Sequence, residues 1–274
     1  MKKHSNPADP AMPAEPAPGR RQRVQAAQTC VVVLKALAQL GGRASLTAVA
    51  QSIGENPAKV HRYLASLMDE GLVAQDPNNQ LYALGLESIR VGLAAMRQCD
   101  PVRVAEPALL HLRDALSVTC LVAVMGNLGP TIVRIEEPAL PVTVNARVGS
   151  VLPMLWSATG RAFFAFAPDD GYDHLLQQEW REAPAARRAQ LDADDPLGRL
   201  REQVRAAGCA SVCDTNLPGI SAVAAPLLDY TGRVAAVLCT LGASGGFDPD
   251  PRGAIAQAVI AAAADASRQL GAGA

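Results

Sequence analysis

The sequence lacks the features that mark a membrane protein, a secreted protein or a metal-binding module. No stretch approaches the roughly 18 consecutive apolar residues of a membrane span. The first segment, MKKHSNPADPAMPAEPAPGRRQR, has no apolar run of the kind that a secretory signal needs. No C-x-x-C or H-E-x-x-H spacing occurs, and the four histidines lie far apart. We therefore expect a soluble, cytoplasmic protein that has no local metal site and needs no cofactor.

Signatures of catalysis are also missing. No G-x-S-x-G motif frames a nucleophile in the second half of the chain. Neither of its Gly-rich runs, at 242–246 and at the C-terminal end, precedes a helix with a P-loop lysine. The six cysteines are scattered through a chain too long to need disulfides, so most are predicted to be small buried hydrophobic side chains. The sequence thus predicts a protein that is not an enzyme.

Two ordinary domains fit the 274 residues, 49% of which are hydrophobic. The net charge of −1 hides an asymmetry along the chain. Residues 1–99 carry 11 Lys and Arg against 7 Asp and Glu, whereas residues 100–274 carry 14 against 19. A basic first third is expected if only that part binds phosphate, with ordinary charge scatter as the alternative.

Composition and periodicity predict four segments. Residues 1–24, rich in Pro and Ala with five basic side chains, are expected to be a disordered basic arm. Residues 25–85 are predicted to form a winged helix-turn-helix and residues 86–100 a linker helix, which Asp100-Pro101 interrupts. Residues 101–274 are predicted to form the second domain.

A helix is predicted from Gln28 to Leu40 at the start of the first domain. Val31, Leu34 and Leu37 recur in it at helical spacing, and the two glycines that follow end it. We expect these three side chains to lie on its buried face.

Two further helices have clear start and stop signals. The second begins after Ser45, a favoured N-cap, and ends at Gly54. The third begins at Asn56, also a favoured N-cap, with Pro57 in the first helical position and Gly71 as a left-handed stop. Helix, glycine turn and helix form a helix-turn-helix.

The third helix is predicted to be the DNA-recognition helix. Val60, Leu64 and Leu67 share one apolar face, while Lys59 and Arg62 lie outside it in the N-terminal half, which is the part that contacts base edges in such motifs. For His61, a supporting phosphate contact and packing on the preceding helix are both open. The predicted DNA-contacting residues are Ser45, Thr47, Asn56, Ala58, Lys59, His61 and Arg62.

A hairpin is predicted directly after this helix. Residues 72–75 and 80–84 read as two short strands around an Asp-Pro-Asn-Asn turn. Such a hairpin is a wing, whose tip can lie along the DNA backbone.

The second domain has a different pattern, in which strands and helices are segregated. After a helix at about 102–116, the sequence contains the strand-like runs VTCLVAVMG, PTIVRIEE and PVTVNARVG. Helices are predicted at about 159–167, 172–180 and 197–207, followed by two strands at 220–229 and 234–242 and by an Ala-rich final helix. This order predicts an α+β domain on an antiparallel sheet.

From about Gln28 to Leu270 the sequence resembles the IclR (isocitrate-lyase-regulator-like) family of transcription regulators. The stretch PAKVHRYLASLMDEGLVAQDP followed by LYALG is similar to that family's recognition helix and wing. In the second half, VGSVLPMLWSATGRAFFAF and AGC…LPGISAVAAPLLDYTGRVAAVL are similar to its effector domain.

The resemblance implies a winged helix-turn-helix joined by a helix to a GAF-like domain that binds a small effector, often a carboxylate or an aromatic catabolite. It also implies dimers through the N-terminal domains and tetramers through the C-terminal ones. By the same resemblance, the effector pocket falls on Ala158, Thr159, Val212, Ala222, Cys239 and Leu241. Val212, Ala222 and Leu241 replace polar residues common there, which implies a more apolar pocket.

Gly160 is added to the predicted pocket because free backbone N–H groups at a helix start can bind a carboxylate. The alternative is an ordinary N-cap by Ser157 or Thr159.

The predicted function is an effector-responsive regulator that binds double-stranded operator DNA as a homodimer or homotetramer; repression and activation both stay open. One rival is a thiol-redox or enzymatic protein that uses Cys209, Cys213 or Cys239, and another is a protein-binding adaptor.

Overall fold

The computed structural model describes residues 24–139, 146–168 and 171–273. The chain divides into two compact units, the first ending at Ala94 and the second beginning at Ala95. The predicted basic arm lies outside the described residues except for Val24, as do residues 141–145 of one predicted strand. In the described part, no helix is both long enough and apolar enough to cross a lipid bilayer.

The first unit is a winged helix-turn-helix. Its described elements are α1 (Gln25–Gln39), β1 (Arg43–Ala44), α2 (Leu46–Ser52), α3 (Pro57–Asp69), β2 (Val73–Gln75), β3 (Tyr82–Leu84) and α4 (Leu86–Met96), whose last two residues belong to the second unit. Strands β1 and β2 both pair antiparallel with β3. The predicted hairpin therefore gains a third strand, β1, which has only two residues and shows no alternation that sequence analysis can detect.

The predicted caps of α2 and α3 are confirmed. The Ala48 N–H donates to Ser45 Oγ at 3.2 Å, and the Ala58 N–H donates to Asn56 Oδ1 at 2.8 Å. Gly54 has a φ of +66°, the left-handed conformation expected of the residue that ends α2. Local hydrogen bonds therefore fix where α3 begins, and with it the surface that α3 presents.

The buried face of α1 differs from the predicted one. Val33 is fully buried beside Ala36 and Leu37, whereas Val31 is 55% exposed and Leu34 is only partly buried. The prediction for Val31 was wrong because three valines stand in a row at 31–33, so more than one apolar face fits the period.

Helix α4 has no buried residue within its own chain. It nevertheless carries five exposed large hydrophobic side chains, Leu86, Ile89, Val91, Leu93 and Met96. An exposed apolar surface of this kind marks an interaction site.

The second unit is an α+β domain, as predicted. Its described elements are α5 (Pro101–Leu116), β4 (Thr119–Gly126), β5 (Gly129–Glu136), α6 (Ala158–Phe166), α7 (Asp173–Glu182), α8 (Ala185–Arg188), α9 (Pro196–Ala207), β6 (Ala210–Cys213), β7 (Ile220–Leu228), β8 (Val234–Ala243) and α10 (Ala254–Gln269). The described strands form one antiparallel sheet in the order β5-β4-β8-β7-β6.

Helices cover both faces of this sheet, so strand residues alternate between two cores. In β4, Cys120 and Val122 pack toward α5 and α10, whereas Leu121 and Ala123 pack toward α6, α7 and α9. The sequence analysis missed β6 and α8, which are four residues each. It also predicted a strand at 141–149, but its described residues, 146–149, are not a strand.

Candidate DNA-binding surface and ligand cavity

The structure brings the predicted DNA-contacting residues to the outer surface of α2 and α3. Six of them are exposed and Lys59 is half-buried. Val60, Leu64 and Leu67 turn inward as predicted and pack on the other two helices. On α3, the predicted contact residues therefore lie on the solvent side of a helix whose apolar side is fixed in a core.

The two cations of α3 are in different environments. The Arg62 side chain is exposed and makes no ion pair or hydrogen bond with any described residue. In contrast, Lys59 Nζ lies 2.7 Å from Glu55 Oε1. Sequence analysis missed Glu55, because it precedes the N-cap and lies outside the helical pattern. Arg62 is thus the cation on this surface that is ready to bind an anion.

The wing is held by an acidic side chain at its base. Asp76 accepts hydrogen bonds from the Asn78 N–H at 2.9 Å and from the Asn79 side chain at 2.8 Å, and it also pairs with Arg43. The Asn78 hydrogen bond is the main cause that lowers the pKa of Asp76. The exposed tip, residues 77–80, carries no charge and presents amide groups instead.

A cavity of about 260 Å³ lies in the second unit, between the sheet and the N-terminus of α6. Six of the seven predicted effector residues line it: Ala158, Thr159, Val212, Ala222, Cys239 and Leu241. Leu121, Ile132 and Ile220 extend the apolar wall, and Ser150 and Asn216 add polar groups. None of its described lining residues is charged.

At the N-terminus of α6, two backbone N–H groups that border the cavity have no hydrogen-bond acceptor among the described residues. Ser157 caps the helix, since the Gly160 N–H donates to Ser157 Oγ at 2.9 Å. The N–H groups of Ala158 and Thr159 have no acceptor among the described residues, although both residues are 1% exposed. The first N–H groups of a helix have no acceptor within the helix, so these two are available to a group that enters the cavity.

Gly160 was predicted to be part of the pocket, but it does not line the cavity. Its N–H is already bonded to Ser157, and the residue is not part of the described cavity wall. A Cβ built on Gly160 would lie 2.2 Å from the Pro153 carbonyl oxygen. Glycine is needed here because α6 packs directly against the backbone at 153–154.

Arg161 is a partly buried charge on α6, the helix whose N-terminus borders the cavity. Its guanidinium Nε donates to the Leu155 carbonyl at 2.7 Å, and Nη1 donates to the Ser211 carbonyl at 3.4 Å. Burial lowers the pKa of Arg161 to about 10, so the side chain stays charged at neutral pH. No described acidic side chain forms an ion pair with Arg161. Among the described residues, Arg161 is thus a charge without an acidic partner on the helix that borders the cavity.

A carboxylate on α7 fixes the segment that leads into α6. Glu179 accepts hydrogen bonds from the Met154 N–H at 2.5 Å and the Leu155 N–H at 2.9 Å. Desolvation is the largest effect on Glu179 and raises its pKa. In the same segment, the guanidinium carbon Cζ of Arg187 lies 5.6 Å from the centroid of the Trp156 ring, which is a cation–π contact. No local sequence signal predicts these contacts, since they join residues 24 or more positions apart.

The cysteines are less buried than predicted. Cys120, Cys209 and Cys239 are buried, whereas Cys30 is partly exposed and Cys99 and Cys213 are exposed. Burial raises the pKa of Cys239 to about 12, although the hydrogen bond with Thr159 opposes the shift. The described residues also contain no cluster of three or more His, Cys, Asp or Glu suited to a metal ion.

Alkylation should therefore separate these thiols. Iodoacetamide at pH 7 is expected to label the exposed Cys99 and Cys213 in the folded protein. Cys239 should stay unlabelled, because a rise in pKa from 9.0 to about 12 lowers its thiolate fraction about a thousandfold. Peptide mass spectrometry with and without denaturant measures this, and fast native labelling of Cys239 would favour the thiol-redox rival.

A winged helix-turn-helix with an exposed arginine on its third helix, followed by a separate α+β domain, defines a DNA-binding transcription regulator. The family model for the bacterial transcriptional regulator IclR C-terminal domain matches residues 93–268. The model for the IclR helix-turn-helix domain matches residues 30–77. The chain therefore belongs to the IclR family of bacterial transcription regulators, as the sequence resemblance predicted.

Individual relatives agree with this assignment. The chain is 27% identical over 249 residues to the HTH-type transcriptional regulator BhcR of Paracoccus denitrificans (strain Pd 1222), covering 89% of this chain and 86% of BhcR. The crystal structure of Pseudomonas aeruginosa HmgR shares 38% identity with a TM-score of 0.81, covering 91% of this chain and 99% of HmgR. The Agobacterium tumefaciens repressor BlcR has a TM-score of 0.73 at 18% identity, covering 92% and 99%, and supports the fold alone.

Proposed function

We propose that this protein is an effector-responsive regulator that binds operator DNA as a homo-oligomer and has no enzymatic role. The exposed, unpaired Arg62 on the capped helix α3 is the observation that carries the DNA-binding part. A regulator that binds operator DNA in a bacterium works in the cytoplasm, where the chromosome lies. Repression and activation both fit this proposal.

In the proposed complex, the N-terminal half of α3 lies in the major groove. There Arg62 donates two hydrogen bonds to a guanine, which is the commonest specific contact between a side chain and a base. Ser45, Thr47 and Ala58 are exposed beside it and reach phosphates or base edges. The neutral wing tip adds amide donors to the DNA backbone.

For the effector, we propose a small carboxylate on an apolar or aromatic body. The free N–H groups of Ala158 and Thr159 lie at the positive end of the α6 dipole. Arg161 adds a charge that no described carboxylate neutralises. The rest of the wall is mostly apolar, which suits the body of the ligand. Such a ligand changes DNA affinity only if it binds two arrangements of the protein unequally.

The homo-oligomer is supported by α4 and α1. All five large hydrophobic side chains of α4 are exposed, as are Val31 and Val32 of α1. We propose that a second copy of the chain covers them. A two-fold axis through such a dimer would place two copies of α3 on successive turns of the duplex.

A selection experiment tests this proposal. The full-length protein should enrich a pseudo-palindromic site from a randomised duplex library, with half-site centres about 10.5 base pairs or a multiple apart. Its affinity for the enriched duplex should fall steeply as KCl rises, because bound phosphates release counterions. If no sequence is enriched and binding stays weak and insensitive to salt, the protein-binding adaptor is the better reading.

A further inference from the structure

The surface of α3 that faces DNA in the proposed complex contains an acid. Glu55 lies in the turn between α2 and α3, and its carboxylate contacts Lys59 Nζ at 2.7 Å. The two side chains are 34% and 39% exposed, so both remain accessible to a third group. One of the two cations on this surface is therefore neutralised before DNA arrives.

The fold itself does not require this carboxylate. The Glu55 N–H donates to the Ala50 carbonyl at 3.0 Å, which holds the residue in place through its backbone. Asn56, not Glu55, caps α3. The Glu55 side chain contacts no described residue except Lys59 through a hydrogen bond or ion pair. An isolated, solvent-accessible ion pair stabilises a protein very little.

A carboxylate is also unfavourable for binding phosphate. Every phosphate on DNA repels it, whatever the base sequence. Among the base edges in the major groove, however, the N4 amino group of cytosine is a hydrogen-bond donor that a Glu or Asp can accept. The repulsion between Glu55 and phosphate therefore weakens binding to any DNA. A hydrogen bond to Glu55 offsets this repulsion only where a cytosine N4 amino group lies opposite.

We propose that Glu55 is a specificity-determining residue for the operator. On arbitrary DNA it holds Lys59 away from phosphate and repels the backbone. At the operator it accepts a hydrogen bond from a cytosine N4 amino group, and Lys59 is released to bind a neighbouring phosphate. The role rests on the proposed function of α3 as the recognition helix. Specificity here comes from penalising the wrong sequences as well as from binding the right one.

The test compares full-length wild type with Glu55→Gln, which keeps the shape and removes the charge. The matched control is Glu70→Gln, which removes the same charge from the other end of α3, roughly 20 Å away. Each protein is titrated by fluorescence anisotropy, over a series of KCl concentrations. The probes are the duplex that wild type selects from a randomised library and a scrambled duplex of the same composition.

Glu55→Gln is expected to bind the scrambled duplex about 3- to 10-fold more tightly, with a salt slope steeper by about one for each bound protomer. The affinity for the selected duplex should not change, so the ratio of the two affinities falls by the same factor of about 3 to 10. Repeating the selection with Glu55→Gln should lose the preference for one C·G pair in each half-site. Glu70→Gln should change none of these, and thermal unfolding of all variants should match wild type.

A second comparison tests the role of Lys59. In a Lys59→Gln background, adding Glu55→Gln should no longer steepen the salt slope, while the C·G preference should still be lost. Equal effects of Glu55→Gln and Glu70→Gln would overturn the proposal, and so would an unchanged selected sequence. If wild type selects no sequence at all, the proposed function fails first and this inference fails with it.

Discussion

Arg62→Ala is expected to weaken operator binding by about 1–3 kcal/mol, or roughly 5- to 150-fold, if the guanidinium contacts a guanine. The side chain is exposed on α3 and makes no hydrogen bond or ion pair with a described residue, so the substitution removes no such interaction. The free energy of unfolding should therefore stay close to that of wild type. The loss should appear in DNA affinity alone.

Anisotropy titrations with the selected duplex and with its variants measure this effect. The loss should be largest on the wild-type site and small on duplexes in which the contacted guanine is replaced. Arg103→Ala is the matched control, because Arg103 is an exposed arginine on α5 in the second unit. Unchanged affinity and an unchanged salt slope for Arg62→Ala would remove Arg62 from the DNA-binding surface.

Thr159→Trp is expected to abolish the response to effector while operator binding is retained. The indole would occupy much of the cavity of about 260 Å³ and cover the free N–H groups at the start of α6. Losing hydrogen bonds from these groups to a charged ligand lowers affinity by more than about 100-fold, at roughly 1.5–3 kcal/mol for each bond. Thr159 lies in the second unit, so the surface of α3 is unchanged.

The measurement needs a probe, since the effector is defined here only by its chemistry. A panel of small carboxylates, from acetate to phenylacetate, can be screened by thermal shift against wild type and the resulting binders tested in DNA titrations. Thr159→Val is the control: it keeps the volume of the side chain, and so the cavity, and replaces only the hydroxyl by a methyl group. It should therefore retain part of the response. A Thr159→Trp protein that folds and still responds fully would place the effector elsewhere.

The local signals in the sequence predicted the start of α3 correctly, because Asn56 and Pro57 act on their own helix through short hydrogen bonds and a fixed φ. The resemblance to a family, not periodicity, brought together six residues that line the cavity. Periodicity failed at Val31, where a run of valines fits more than one face.

The contacts that the sequence pattern did not predict join residues that are far apart in the chain or lie outside regular helices and strands. Glu179 reaches Met154 and Leu155 across 24 or 25 residues. Gly160 was assigned to the pocket from the chemistry of a helix start, but its lack of a Cβ serves the close approach of α6 to 153–154. Such roles depend on which backbone segments meet in space, and a single sequence does not contain that information.

In the proposed dimer, the exposed hydrophobic side chains of α4 would link promoter occupancy to the abundance of the protein. In the proposed dimer, burying them is the step that turns two chains into one operator-binding unit. When free chains are mostly monomeric, the amount of this unit grows with the square of the total concentration. A twofold rise in synthesis then gives about a fourfold rise in the bound form at low occupancy, by mass action. The helix would thus make gene expression respond steeply to the dosage of the regulator, before any effector is present.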